Sequence, residues 1–127
     1  MPADKATLEE GAEFAPRFDA NGLIVCVTVE AATREILMVA YMNQLALDKT
    51  IETGVAHYWS RSRKALWRKG DTSGQVQRVV SLSVDCDQDA IMLAVEAGGD
   101  GKACHTGRKS CFYRRLDFGS GHLVFTE

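Results

Sequence analysis

Val76-Gln-Arg-Val-Val-Ser-Leu-Ser-Val-Asp85 ends in a strict alternation, with Val80, Leu82 and Val84 on one face and Ser81, Ser83 and Asp85 on the other. A period of two is the pattern of a strand covered on one side only. The stretch runs straight into Cys86-Asp-Gln-Asp-Ala90, so the strand delivers polar chemistry at its end. Continued extension past Val84 would point Cys86 with Val80 and set Asp85, Asp87 and Asp89 on the opposite face. One strand end then offers a thiol on one side and three carboxylates on the other.

Upstream, Leu23 to Glu30 is rich in β-branched residues and reads as a strand, with Cys26 in its core. Ala31 to Thr33 forms a turn, and Glu35 to Met42 returns as the hairpin partner. Asn43 suits the N-cap of a helix over Gln44 to Thr53, whose apolar face would comprise Leu45, Ala46, Leu47 and Ile51, and Gly54 suits its C-terminal cap. Val55 to Ser62 reads as a further strand and residues 63–75 as a loop. Downstream, Ile91 to Val95 fits strand or helix. Gly98, Gly99 and Gly101 break the chain, and Cys111 to Leu116 and His122 to Phe125 read as short final strands. Residues 1–17 read as a loosely attached arm, with a short helix starting at the capping-box pattern Thr7-Leu-Glu-Glu10. The sum is a single α+β domain over residues 1–127, mostly antiparallel sheet with few short helices.

The chain has 127 residues, 46% hydrophobic and 25% charged, which are globular values for one domain. A net charge of −2 argues against a nucleic-acid coat. No apolar run reaches membrane-span length and no secretory signal is evident, so a cytoplasmic enzyme with reduced cysteines is expected. Charge is unevenly placed. Arg61, Arg63, Lys64, Arg68 and Lys69 form a run without acids, whereas Asp85, Asp87, Asp89, Glu96 and Asp100 form one without bases. An anion site and a cation site are the expected counterparts, against the plainer reading of two solvated surfaces.

Three further features carry chemistry. Cys86, Cys104 and Cys111 are soft ligands suited to zinc, and three protein ligands leave a fourth position for water, whose pKa zinc lowers. Their spacing is not that of a zinc finger, and three buried cysteines acting as small hydrophobes are the competing reading. Asp85, Asp87 and Asp89 are hard ligands suited to magnesium, since the glycine and distal glutamate of a calcium loop are missing. Otherwise they form an acidic turn. Trp59-Ser-Arg-Ser-Arg63 and Lys69-Gly-Asp-Thr-Ser-Gly74 combine guanidinium, hydroxyl and glycine-freed amide donors, which suits phosphate at Trp59, Ser60, Arg61, Ser62, Arg63, Lys69, Thr72, Ser73 and Gly74. A basic surface loop is the alternative. His57 and His105 are the candidate proton carriers, each weighed against a histidine without chemistry.

Met38-Val-Ala-Tyr-Met-Asn43, Tyr58-Trp-Ser-Arg-Ser-Arg63, Leu66-Trp-Arg-Lys-Gly70 with Thr72-Ser-Gly74, Asp85-Cys-Asp-Gln-Asp89, and Cys104-His-Thr-Gly107 with Ser110-Cys-Phe112 together resemble the phosphoribosyl-AMP cyclohydrolase family of histidine biosynthesis. The resemblance runs from about Phe18 to about Phe112. It implies a small nucleotide substrate, 1-(5-phosphoribosyl)-AMP, whose adenine ring water opens between N1 and C6. It implies an intertwined homodimer with zinc at the interface, bound by Cys86 of one chain and Cys104 and Cys111 of the other. It also implies magnesium on Asp85, Asp87 and Asp89. Two other classes use similar parts. A zinc-dependent nucleobase deaminase would carry H-x-E and P-C-x-x-C, which are missing here. A non-catalytic zinc-stapled binding module would close a four-ligand site with His105.

Overall fold

The computed structural model describes residues 4–70, 74, 76–98 and 102–127, so Thr72 and Ser73 lie outside the described residues. A four-stranded sheet organises the chain. Strand β1 (Ile24–Glu30) and strand β2 (Ile36–Met42) form the expected antiparallel hairpin, with Ile24 opposite Met42. The helix between residues 44 and 53, here α2 (Gln44–Thr53), begins and ends where its caps place it. The Asn43 side chain accepts from the Ala46 N–H at 2.9 Å. Gly54 takes a left-handed conformation and donates its N–H to the Thr50 carbonyl. The short N-terminal helix, α1 (Lys5–Glu10), starts two residues before Thr7, with the Leu8 N–H bonded to the Asp4 carbonyl.

Strand β5 (Gln77–Val84) pairs antiparallel with β6 (Ala90–Ala97), and β6 pairs parallel with β1, giving the order β2-β1-β6-β5. Residues 91–95 are therefore strand. Ile91, Leu93, Ala94 and Val95 are all buried, because a central strand flanked on both edges reads as a continuous apolar run. Among the described residues, pairing between strands is otherwise antiparallel.

Several expectations need correction. Residues 65–68 are not loop but strand β4 (Ala65–Arg68), paired with β3 (His57–Ser60). Lys64 turns the chain in a left-handed conformation, and Trp67 lands opposite Tyr58 with ring centroids 5.4 Å apart. That aromatic pair outweighs the charges that make the segment look like loop. The Val80-Leu82-Val84 face is also broken. The ladder shifts register between Val79 and Ser81, so Val79 and Leu82 pack on the core while Val80 is 56% exposed. In α2, Ala46, Leu47 and Thr50 are buried, whereas Leu45 and Ile51 are 46% and 57% exposed. The arm over residues 8–17 is not loose, being hydrogen-bonded to Gln88 through backbone and side chain.

The core contains Ile24, Leu37, Leu47, Ile91, Leu93 and the fully buried Tyr58. The Tyr58 hydroxyl donates to Gln77 Oε1 at 2.6 Å and lies 2.7 Å from the Thr28 hydroxyl. Gln77 Nε2 in turn reaches Met38 Sδ at 3.3 Å. Tyr58→Phe leaves Gln77 Oε1 buried without its donor. Urea unfolding of this variant should show a loss of about 1–3 kcal/mol, the cost of an unmet buried polar group; an unchanged midpoint would show that the network carries no stability. Strands β7 (Arg114–Leu116) and β8 (Leu123–Phe125) form the closing hairpin. Its neighbourhood exposes Phe112, Leu116, Phe118, Leu123 and Phe125.

Candidate active site

The segment after β6 folds back on β2 and brings two of the three candidate thiols together. Ala103 and Cys104 N–H groups bond to the Lys109 and Arg108 carbonyls, and Gly107, with φ +87°, closes a turn onto the Cys104 carbonyl. The Cys111 N–H donates to the Leu37 carbonyl at 2.7 Å, and the Ser110 hydroxyl to the Ile36 carbonyl at 2.6 Å. These bonds fix Cys111 at the β2 edge and set its thiol beside that of Cys104.

The two thiols are inequivalent. Burial opposes ionisation of Cys104, but the Thr106 hydroxyl at 3.1 Å, the Thr106 backbone, the Cys111 thiol and the Lys69 charge together hold it below the ordinary thiol value. Burial and then the Cys104 charge push Cys111 up to about 11. The pair thus sets a thiol that ionises more readily than usual beside one that resists ionisation. Two adjacent sulfur donors, one of them more readily ionised, fit a soft cation such as zinc. Lys69 is only 8% exposed; its ammonium donates to the Ala103 carbonyl at 2.6 Å and lies 5.6 Å from the Trp67 ring centre. Burial lowers its pKa, while the charges of Cys111 and Cys104 work the other way. Its charge therefore faces the thiols as well as any anion. Cys86 is exposed in the turn after β5 and does not join the other two cysteines in a single-chain metal-ligand group.

Among the described residues, the one group of three such ligands within 4.8 Å of each other is Asp85, Asp87 and Asp89. A turn, not a continued strand face, gathers them. Asp85 Oδ1 accepts from the Asp89 and Ala90 N–H groups at 3.0 and 3.1 Å, and Gln88 is left-handed. Hydrogen bonds with Asp85 and Asp87 push Asp89 up to about 6. Burial works against ionisation of Asp85, yet the Asp89 side chain and the amides of Ala90 and Asp89 hold it below the carboxylate range. Three hard oxygens whose repulsion a cation would relieve fit magnesium.

The β3–β4 hairpin and β2 enclose a cleft of about 560 Å³ lined by Tyr41, Trp59, Ser60, Arg61, Ser62 and Trp67, among others. The Arg61 guanidinium sits 4.1 Å over the Tyr41 ring, a stacking that orients its planar fork for bidentate contact with an anion. Arg63 lies in the exposed turn, its N–H bonded to the Ser60 hydroxyl at 3.2 Å. Gly74 is left-handed. His57 is buried, with Nδ1 2.8 Å from the Val55 carbonyl and its N–H bonded to the Thr50 hydroxyl. That contact makes Nδ1 a donor and leaves Nε2 as the open ring nitrogen. His105 is exposed on the turn beside Cys104.

Tyr41 and Gln88 escape a sequence reading as site residues. Tyr41 sits at a strand position that looks like core, and Gln88 is a neutral residue among acids. The left-handed backbone of Gln88, in a turn where glycine would be easiest, is the signal for the second.

The profile of the family described as Phosphoribosyl-AMP cyclohydrolase matches residues 38–113, which take in most of β2, the cleft, the acidic turn and all three candidate zinc cysteines. A protein of Chelativorans sp. named phosphoribosyl-AMP cyclohydrolase is 60% identical over 125 residues, covering 98% of this chain and 90% of that one. A Brucella canis protein of the same name is 58% identical over 126 residues, covering 99% and 91%. A Brucella anthropi protein, also so named, is 59% identical over 123 residues, covering 97% and 87%. With its candidate metal-ligand residues and its cleft inside the matched span, the chain belongs to the phosphoribosyl-AMP cyclohydrolase family of enzymes.

Proposed function

We propose that this enzyme hydrolyses 1-(5-phosphoribosyl)-AMP between N1 and C6 of its adenine ring, in L-histidine biosynthesis in the cytoplasm. It acts as a homodimer, with Cys104 and Cys111 of one chain and Cys86 of the other holding zinc, and Asp85, Asp87 and Asp89 holding magnesium. The observation that carries this reading is the division of the thiols. Cys104 and Cys111 lie side by side where the returning segment meets β2, and Cys86 stands apart on a separate turn, which suits a site completed by a second chain. The apolar side chains exposed around the closing hairpin and on α2 supply surface for that second chain.

Zinc at the thiols supplies a Lewis acid that brings water to the ionisation it needs near neutral pH. The chain's residues do the rest. Trp59 and Trp67 give the cleft aromatic walls for a purine, and Arg61, held over Tyr41, faces a phosphate. Lys69 keeps positive charge beside the thiolates. Substitution at N1 makes the adenine cationic and C6 electrophilic. Water oxygen bonds to C6 and gives up a proton to His105 or to the open Nε2 of His57; the C6–N1 bond breaks, and the same ring nitrogen returns that proton to N1.

The proton's destination decides the product. Delivery to N1 opens the ring, whereas delivery to the exocyclic nitrogen releases ammonia. Turnover of phosphoribosyl-AMP should therefore add the mass of one water and release no ammonia. Stoichiometric ammonia would make the enzyme a deaminase, and no turnover with both metals present would favour a structural zinc.

A further inference from the structure

Gln88 sits between two of the three clustered carboxylates, in a left-handed conformation with φ +59°. Its neighbours Asp85 and Asp89 are exposed, yet Gln88 is only 3% exposed, because the N-terminal arm covers it. Its amide is fully used. Oε1 accepts from the Ala15 N–H at 2.8 Å, and Nε2 donates to the Leu8 and Glu13 carbonyls, each at 3.1 Å. The Gln88 carbonyl accepts from the Arg17 N–H at 2.7 Å. The Arg17 guanidinium lies 3.9 Å from Asp87 Oδ2. Beyond α1 the arm has no ladder of its own through Arg17, so these bonds supply its anchorage. Arm residues Leu8, Glu13 and Phe14 also wall a cavity of about 340 Å³ whose other side is Asp85, Cys86 and Gln88.

We propose that residues 8–17 are a strap that positions the acidic turn, with Gln88 as the positioning residue. The strap holds a left-handed turn that would otherwise be free to relax. It thereby fixes the spacing of Asp85, Asp87 and Asp89 for a divalent cation, and Arg17 orients Asp87. This rests on the reading of the three carboxylates as a magnesium site.

Gln88→Gly keeps the left-handed backbone and removes the amide. Gln88→Asn also tolerates that backbone but is one methylene too short to span both arm carbonyls, so it carries the test should the glycine variant fail to fold. The probe is Mn²⁺, titrated by electron paramagnetic resonance into the zinc-loaded full chain, with hydrogen exchange followed across residues 8–17. Both variants should lose protection at the Ala15 amide and bind Mn²⁺ about tenfold more weakly. Zinc content should be unchanged, and activity at saturating magnesium should recover. Mn²⁺ affinity equal to the parent's in both variants overturns the strap, whether or not the arm is released. Weakened affinity with the arm still protected overturns it too. Equal Mn²⁺ affinity in the parent and Asp87→Ala overturns the cation site itself, and the strap with it; that result is separable, because strap failure alone leaves Asp87→Ala deficient.

Discussion

Cys104→Ser is expected to leave the protein folded, without zinc and without activity. The thiol it removes is buried, bonded to the Thr106 hydroxyl and in contact with Cys111. A serine oxygen is a harder, shorter donor and remains protonated at neutral pH, so it does not replace a thiolate on zinc. Metal content should fall from about one zinc per chain, the value for a three-thiolate site, to near zero. Cys26→Ser is the control. Cys26 is fully buried in β1, where burial pushes its thiol up to about 12, so it is a poor ligand and its replacement should keep zinc. Zinc retained in Cys104→Ser, or lost in Cys26→Ser, reverses the assignment.

Asp87→Ala should be nearly as damaging, through the other metal. Asp85, Asp87 and Asp89 crowd their oxygens within 4.8 Å, and hydrogen bonds with the other two push Asp89 up to about 6. Removing the middle carboxylate relieves the repulsion that a cation would otherwise relieve. The metal-free fold should therefore tolerate the change while the cation site does not. Magnesium dependence should vanish, and kcat/KM should fall by about 100-fold, equivalent to about 2.7 kcal/mol of transition-state stabilisation. Kinetics equal to the parent's at every magnesium concentration would reduce the cluster to a surface turn.

Local chemistry made much of this domain legible in the sequence. Asn43 and Gly54 carry the α2 boundaries in their own side-chain and backbone preferences. The β1–β2 hairpin follows from adjacent β-branched runs. Less visible is whatever depends on partners distant in the chain. The parallel pairing of β6 with β1 leaves no local mark, and the apolar run from Ala90 fits strand or helix until neighbours on both edges are known. The extra residue at Val80 spoils a clean alternation without altering composition. At the site, the residue types were readable and their grouping was not. Spacing does not show that Cys104 meets Cys111, that Lys69 turns inward to Ala103, or that Tyr41 seats Arg61. Each depends on β2 lying under both the β3–β4 hairpin and the returning segment.

The exposed Leu45, Ile51 and Phe118 have the same origin. They look like core by type, and a second chain is what would make them so. Whether that chain also completes the zinc site is decided most directly by mixing. Cys86→Ser and Cys104→Ser chains, each inactive alone, are combined under conditions of subunit exchange, and zinc and activity are measured. In a mixed dimer one of the two sites has all its ligands intact, so a statistical mixture should recover about a quarter of the parent's activity and zinc. A mixture as inactive as either variant, with exchange verified, contradicts a site shared between chains.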